Sequence, residues 1–275
     1  QSPDLVKRGE YLVNGPGNCG NCHTVRGPDL MPGPRFLAGG QKFDSPAYGL
    51  AYSRNITPDR ETGIGTWTEE QIMRAVRGGI TKEGNKIGEP MPIENLNQMS
   101  LGDARAIAAY LRTIPAIRNE VPESRYKTPP QSPPPAHVTD TPPATDKLAY
   151  GAYLVTVAHC NECHTPSEAD GKRDYVRRMG SGGRPFFTIP GKIVRSANIT
   201  PDKETGIGSW TDQEIRRAMT EGISRNGRKL IPQMPYPYFR NMTDTDIDAV
   251  IAYLRTMQPV SNKVAPNPDL QEYLK

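Results

Sequence analysis

All four cysteines of this 275-residue chain fall in two copies of one five-residue pattern, Cys19-Gly20-Asn21-Cys22-His23 and Cys160-Asn161-Glu162-Cys163-His164. Two thiols three positions apart, followed at once by an imidazole, form the attachment signature of c-type haem. The thiols add across the haem vinyl groups as thioethers, and the histidine ligates the iron from one face. The sequence therefore predicts two covalently bound haem c groups, attached through Cys19, Cys22, Cys160 and Cys163, with His23 and His164 as iron ligands. A redox dithiol needs neither the trailing histidine nor a second copy, and it belongs in a βαβ setting that this sequence lacks. A zinc site would need a fourth ligand for each motif, or all four cysteines drawn together from the two halves of the chain.

The second axial ligand follows by elimination. Besides His23 and His164 there are only His159, next to Cys160 and so held on the proximal side, and His137, in a proline-rich stretch. Two bis-histidine haems cannot be built from these, which leaves methionine. Two methionine pairs recur at an offset of 143 residues, Met91 with Met234 and Met99 with Met242. Met99 and Met242 directly precede Ser100 and Thr243, expected helix caps, where an apolar residue packs on the first turn as core. Met91 and Met234 lie in Glu89-Pro90-Met91-Pro92 and Pro232-Gln233-Met234-Pro235, loops stiffened by proline that can hold a thioether at little entropic cost. We assign Met91 and Met234 as distal ligands. Trp67 and Trp210 are read either as core aromatics or as indole N–H donors to a haem propionate. Asn55, Asn198, Arg54 and Arg195 are weaker candidates for that role.

These residues are carried by a tandem repeat. Asn55-Ile56-Thr57-Pro58-Asp59 through Trp67-Thr68 returns as Asn198-Ile199-Thr200-Pro201-Asp202 through Trp210-Thr211 at the 143-residue offset, whereas the cysteines are offset by 141, so the loop after the second histidine is two residues longer. A period this long means two domains rather than a solenoid. In each, an apolar-periodic helix (Leu5–Val13, Leu148–Val155) precedes the haem motif. A second helix opens on a capping box at Thr68 and Thr211, and a third opens at Ser100 and Thr243. Gly9 and Gly151 inside the first helices cost about 1 kcal/mol each relative to alanine, which a close crossing with the last helix at Tyr110 and Tyr253 explains. The expected architecture is all-α: cytochrome c domains at 1–117 and 146–275, joined by a linker, 118–145, whose prolines favour an extended spacer that wraps one domain or tethers the two.

Hydrophobic residues make up 35% of the chain, against 28 prolines and 26 glycines, a composition that suits small domains whose cores are completed by an apolar prosthetic group. The net charge of +4 divides as +1 over 1–117, 0 over 118–145 and +3 over 146–275, so there is no polybasic footprint for nucleic acid. The apolar stretches 104–111 and 247–254 fall far short of the roughly 20 residues of a membrane span, and no transmembrane segment is expected. Because haem c is attached outside the cytoplasm, a removed export signal is the expectation at Gln1.

On these motifs the chain resembles tandem class I c-type cytochromes. The stretches from Gly39-Gly40 to Trp67 and from Gly182-Gly183 to Trp210 are similar to the cytochrome subunit of membrane-bound bacterial alcohol and aldehyde dehydrogenases. That family has three haem domains and a membrane-associating segment, whereas two attachment motifs and a polar stretch at 267–275 are present here. The resemblance implies His/Met ligation and periplasmic electron transfer from a periplasmic or membrane-associated dehydrogenase toward an oxidase or another cytochrome. It also implies a Gly-Pro carbonyl for the proximal ring N–H. Gly33-Pro34 supplies one for His23, and 173–178 holds no proline for His164.

The leading function is an electron carrier, not an enzyme. A dihaem peroxidase needs one iron with an open distal position, yet both repeats offer a methionine. A thiosulfate dehydrogenase of the known type wants a cysteine ligand, and none is left. A permanent redox subunit of a larger complex differs from a carrier only in partner affinity. Lys172, Arg173, Arg177, Arg178 and Arg184 after His164 outnumber Arg26, Arg35 and Lys42 after His23, and Glu89 and Glu94 flank Met91 where Ile231 and Tyr236 to Tyr238 flank Met234. Nearby cations and an apolar distal loop favour the reduced form, so the second haem is expected to have the higher potential.

Overall fold

A computed structural model describes residues 2–131, 139–168, 173–189 and 191–268. The chain divides into two compact units, Gln1–Thr141 and Pro142–Lys275. His137, Pro133 to Pro135 and Lys172 lie outside the described residues, as does most of the polar stretch 267–275.

In the first unit, helix α1 (Pro3–Asn14) starts on Ser2, whose hydroxyl accepts the Leu5 N–H, with Pro3 in the first turn where its missing N–H costs nothing. A one-turn helix, α2 (Gly20–His23), carries the haem motif. Strands β1 (Lys42–Ser45) and β2 (Gly49–Tyr52) form an antiparallel hairpin. Helix α3 (Glu69–Gly78) opens on the Thr68–Gln71 capping box, α4 (Ile93–Leu96) is a single turn, and α5 (Leu101–Leu111) is capped by Ser100. The core is the crossing of α1 on α5, where Leu12, Val13, Ala104, Ile107, Ala108 and Leu111 are buried. Gly9 is required there, because a Cβ at that position would stand 1.9 Å from the Ala106 carbonyl oxygen and 2.8 Å from Tyr110 Cβ.

The second unit repeats the plan with α6 (Lys147–Val157), α7 (Cys160–His164), α8 (Asp212–Thr220), α9 (Tyr236–Phe239) and α10 (Asp244–Thr256). Helix α6 crosses α10, and a Cβ on Gly151 would meet the Ala249 carbonyl oxygen at 2.1 Å. Thr211 and Glu214 form the same capping box as Thr68 and Gln71.

Both units are mostly helical, and each adds to its helices a small sheet that the sequence reading did not include. In the first unit β3 (Arg125–Tyr126) joins β2, giving the order β1-β2-β3; in the second, β4 (Pro185–Phe186) pairs with β5 (Val194–Arg195). Strands of two to four residues are too short to show period-two alternation. The proline-rich stretch is also less free than its composition implies. Residues 118–127 lie on the first unit: Asn119 donates to the Ala38 carbonyl at 2.8 Å, Ser124 accepts the Tyr52 N–H, and β3 extends the sheet. Further on, the Thr139 hydroxyl donates to the Gln98 carbonyl and Thr141 bonds both Ser100 and Asp103. Among the described residues no helix is long and apolar enough to cross a membrane.

Candidate haem sites

Each attachment motif sits on a single helical turn directly after the first long helix. In α2 the His23 N–H donates to the Cys19 carbonyl at 2.9 Å, which puts both cysteines and the histidine on consecutive turns of one short segment. The thiols are not joined as disulfides. Burial, reinforced by the neighbouring thiol, pushes Cys19 and Cys160 up to about 12. Among the described residues no three His, Cys, Asp or Glu side chains converge as a metal-holding group.

The two proximal rings are held in the same way. His23 Nδ1 lies 2.7 Å from the Arg54 carbonyl oxygen, and His164 Nδ1 lies 2.7 Å from the Ala197 carbonyl oxygen. A carbonyl only accepts, so Nδ1 carries the proton and Nε2 keeps its lone pair for a metal. Burial lowers both imidazole pKa values, the carbonyl contact opposing it only in part, which keeps the rings neutral as ligation requires. The Gly-Pro expectation is overturned. The acceptor for each ring is instead the peptide before Asn55 or Asn198, present in both units at the 143-residue offset. That peptide is pressed into place by glycine: Gly39 and Gly182 have φ of +73° and +76°, and their N–H groups bond the carbonyls of His23 and His164 at 2.7 and 2.6 Å.

Met91 and Met234 stand in equivalent loops, each half-buried, each one residue before the proline that opens the next helical turn. The Met91 N–H bonds the Gly88 carbonyl at 3.3 Å and the Met234 N–H bonds that of Ile231 at 3.1 Å. Met99 and Met242 are instead buried at 0% and 7% exposure beside the caps Ser100 and Thr243, as core residues are. Trp67 and Trp210 are half-buried, and no hydrogen bond from either indole N–H is found among the described residues. Their carbonyls accept from Arg112 and Arg255. Asn55 and Asn198 do not serve as propionate donors. Each bonds a threonine hydroxyl and a main-chain carbonyl through its amide nitrogen, and accepts from Thr57 or Thr200 through its oxygen. Arg54 turns its guanidinium to the carbonyls of Val121 and Pro122.

Most of the cations counted after His164 are paired. Arg173 and Arg184 both bond Glu162, and Arg177 bonds Glu168 and Asp174. Glu162, inside the attachment motif itself, also accepts from the Tyr175 hydroxyl at 3.0 Å. Burial alone would raise its carboxyl, but Arg184 and Arg173 together hold it below the ordinary value. This cluster escaped the sequence reading because its members lie 11 to 22 residues apart in a loop without periodicity. The only sequence signal was the acidic residue between two haem-binding cysteines.

Residues 148–258 match the family model for cytochrome c. Over 278 residues the chain is 31% identical to the fructose dehydrogenase cytochrome subunit of Gluconobacter japonicus, covering 92% of this chain and 52% of that protein. It is 30% identical to the cytochrome c subunit of the quinone-type alcohol dehydrogenase of Gluconacetobacter polyoxogenes, covering 94% and 58%. A diheme cytochrome c-type protein of Cereibacter sphaeroides is 28% identical, covering 93% and 86%. The chain thus spans little more than half the length of the first two relatives. Residues 148–258 form a cytochrome c domain, and the chain is similar to the cytochrome c subunits of dehydrogenases.

Proposed function

We propose that the chain is a dihaem c-type cytochrome that passes single electrons in the periplasm and transforms no substrate of its own. The observation that carries this reading is the identical proximal arrangement in both units: an attachment turn, a histidine whose Nδ1–H is fixed on a main-chain carbonyl, and a glycine that presses that peptide into place. Cys19, Cys22 and His23 hold one haem, and Cys160, Cys163 and His164 the other. Bound haem supplies a reversible one-electron change at iron. The protein's part would be to hold the ring tautomer through the Arg54 and Ala197 carbonyls and to offer Met91 and Met234 as the second ligand to each iron. A closed coordination shell suits electron transfer, since a peroxidase would need a site open to its oxidant.

The two domains are those of the repeat, connected by the proline-rich stretch 118–145, whose first ten residues double as a strap on the first unit. Similarity to dehydrogenase cytochrome subunits points to a periplasmic or membrane-associated dehydrogenase as donor, with an oxidase or another cytochrome as acceptor. Arg173, Arg177 and Arg184 near the second motif are paired with carboxylates, so a higher potential there than at the first motif draws on the distal loops, apolar and aromatic around Met234 and acidic around Met91.

Intact mass after acid denaturation, together with carbon monoxide binding to the reduced protein, tests this reading. Two haems per chain and no binding of carbon monoxide are expected. One haem or none, or a ferrous iron that takes the ligand readily, overturns it.

A further inference from the structure

The two attachment turns differ at one position with electrostatic consequences. Counted from the cysteines, Asn21 of the first corresponds to Glu162 of the second. Asn21 accepts from a single cation, Arg26, at 3.1 Å through its side chain and at 3.1 Å through its carbonyl. Glu162 is bound by two. Its carboxylate lies 2.6 Å from Arg173 and 2.7 Å from Arg184, and its main-chain carbonyl accepts from the same two guanidiniums at 3.3 and 2.6 Å. The three side chains are 15%, 8% and 14% exposed, and the Arg184 guanidinium lies over the Phe186 ring at 5.4 Å. One carboxylate and two guanidiniums are thus locked onto the turn between Cys160 and Cys163.

We infer that Glu162, with Arg173 and Arg184, is a positioning residue that sets the reduction potential of the second haem separately from the first. The inference rests on the reading that His164 binds a haem. Reduction places one more electron on the iron, so a carboxylate fixed on the attachment turn disfavours it and the two guanidiniums favour it. Because the group is shielded from solvent, salt screens it poorly, and each charge acts at close to full strength. Both turns carry a net charge of one positive unit. In the second, however, that unit is the residue of three opposed charges, so removing either sign shifts the balance by a full charge at the haem. The first turn has no carboxylate to remove.

Spectroelectrochemical titration of the haem-loaded protein tests this, with the two waves assigned by Met91→His and Met234→His. Glu162→Gln keeps an acceptor oxygen for the arginines while removing the negative charge, and it should raise the second wave. Arg173→Gln should lower it, Arg173→Lys should leave it near the wild-type value, and the first wave should stay fixed throughout. In the reciprocal variant, Asn21→Glu should lower the first wave alone. A merely structural role would loosen the turn in every variant and move the second wave in one direction, and that result, or an unmoved wave, overturns the inference. If Glu162→Gln fails to load haem, the comparison of Arg173→Gln with Arg173→Lys decides: a second wave that is the same in both overturns it. Wild-type protein lacking haem at the second motif would fail the proposed function first, and its mass shows this before any titration.

Discussion

A Cβ on Gly39 would lie 2.4 Å from the carbonyl carbon of Arg54, closer than any packing tolerates. That same carbonyl accepts the ring N–H of His23. Gly182 stands in the same relation to Ala197, at 2.4 Å, and Ala197 to His164. The glycine pair is therefore part of the machinery that orients the proximal imidazole.

Gly39→Ala and Gly182→Ala should each cost about 2–5 kcal/mol, from a non-glycine residue at positive φ together with overpacking against backbone that cannot swing aside. Urea denaturation of the haem-loaded protein measures the loss. A change below 1 kcal/mol would mean that the peptide before Asn55 or Asn198 moves freely and does not fix the ring.

The helix crossings give a test of sign. Gly9→Ala and Gly151→Ala gain about 1 kcal/mol of helix propensity, yet the new methyl collides with a carbonyl oxygen 1.9 or 2.1 Å away. Net destabilisation of a few kcal/mol is expected. A higher Tm in either variant would show that the crossing is looser than described.

The two methionine pairs should separate by readout. Met91→Ala should abolish the methionine-to-ferric-iron charge-transfer band of one haem and leave the other intact. Met99→Ala, emptying a fully buried site, should retain both bands and lose about 2–5 kcal/mol of stability. The reverse pattern would exchange their roles.

Asp59 and Asp202 each contribute stability that acid removes. Each carboxylate accepts a threonine hydroxyl and N–H at 2.7 Å, and those bonds hold its pKa below the ordinary value. A folded pKa below the unfolded one means that the unfolded chain binds more protons, so the stabilisation is complete above the unfolded carboxylate pKa. It is lost as pH falls through the depressed folded value. Asp59→Asn and Asp202→Asn should flatten stability against pH across that acid range, as followed by thermal melts, and leave the slope near neutrality unchanged.

The repeat, the three long helices of each unit and the close crossing at Gly9 and Gly151 were all legible in the sequence, because capping and helical periodicity are local signals. The acceptor of the proximal ring was not. Arg54 and Ala197 act through main-chain carbonyls 31 and 33 residues from their histidines, and a carbonyl leaves no mark on residue type. The cation count after His164 misled for a related reason, since composition reports charges and only folding pairs Arg173 and Arg184 with Glu162.

The strap formed by 118–127 bears on how the repeat can be cut. Asn119, which bridges Thr62 and Ala38, has its counterpart in Asn262, which bridges Thr205 and Ser181, and Ile117 meets Thr57 as Val260 meets Thr200. The module that duplicated therefore runs on past its last helix. A first half excised at Ile117, where proline begins to dominate, would be left with an open sheet edge at Leu50 and without the Asn119 bonds to Thr62 and Ala38. Excised after Lys127 it would keep both, and the ten residues between those two cuts decide whether a single-haem half of this molecule can stand alone.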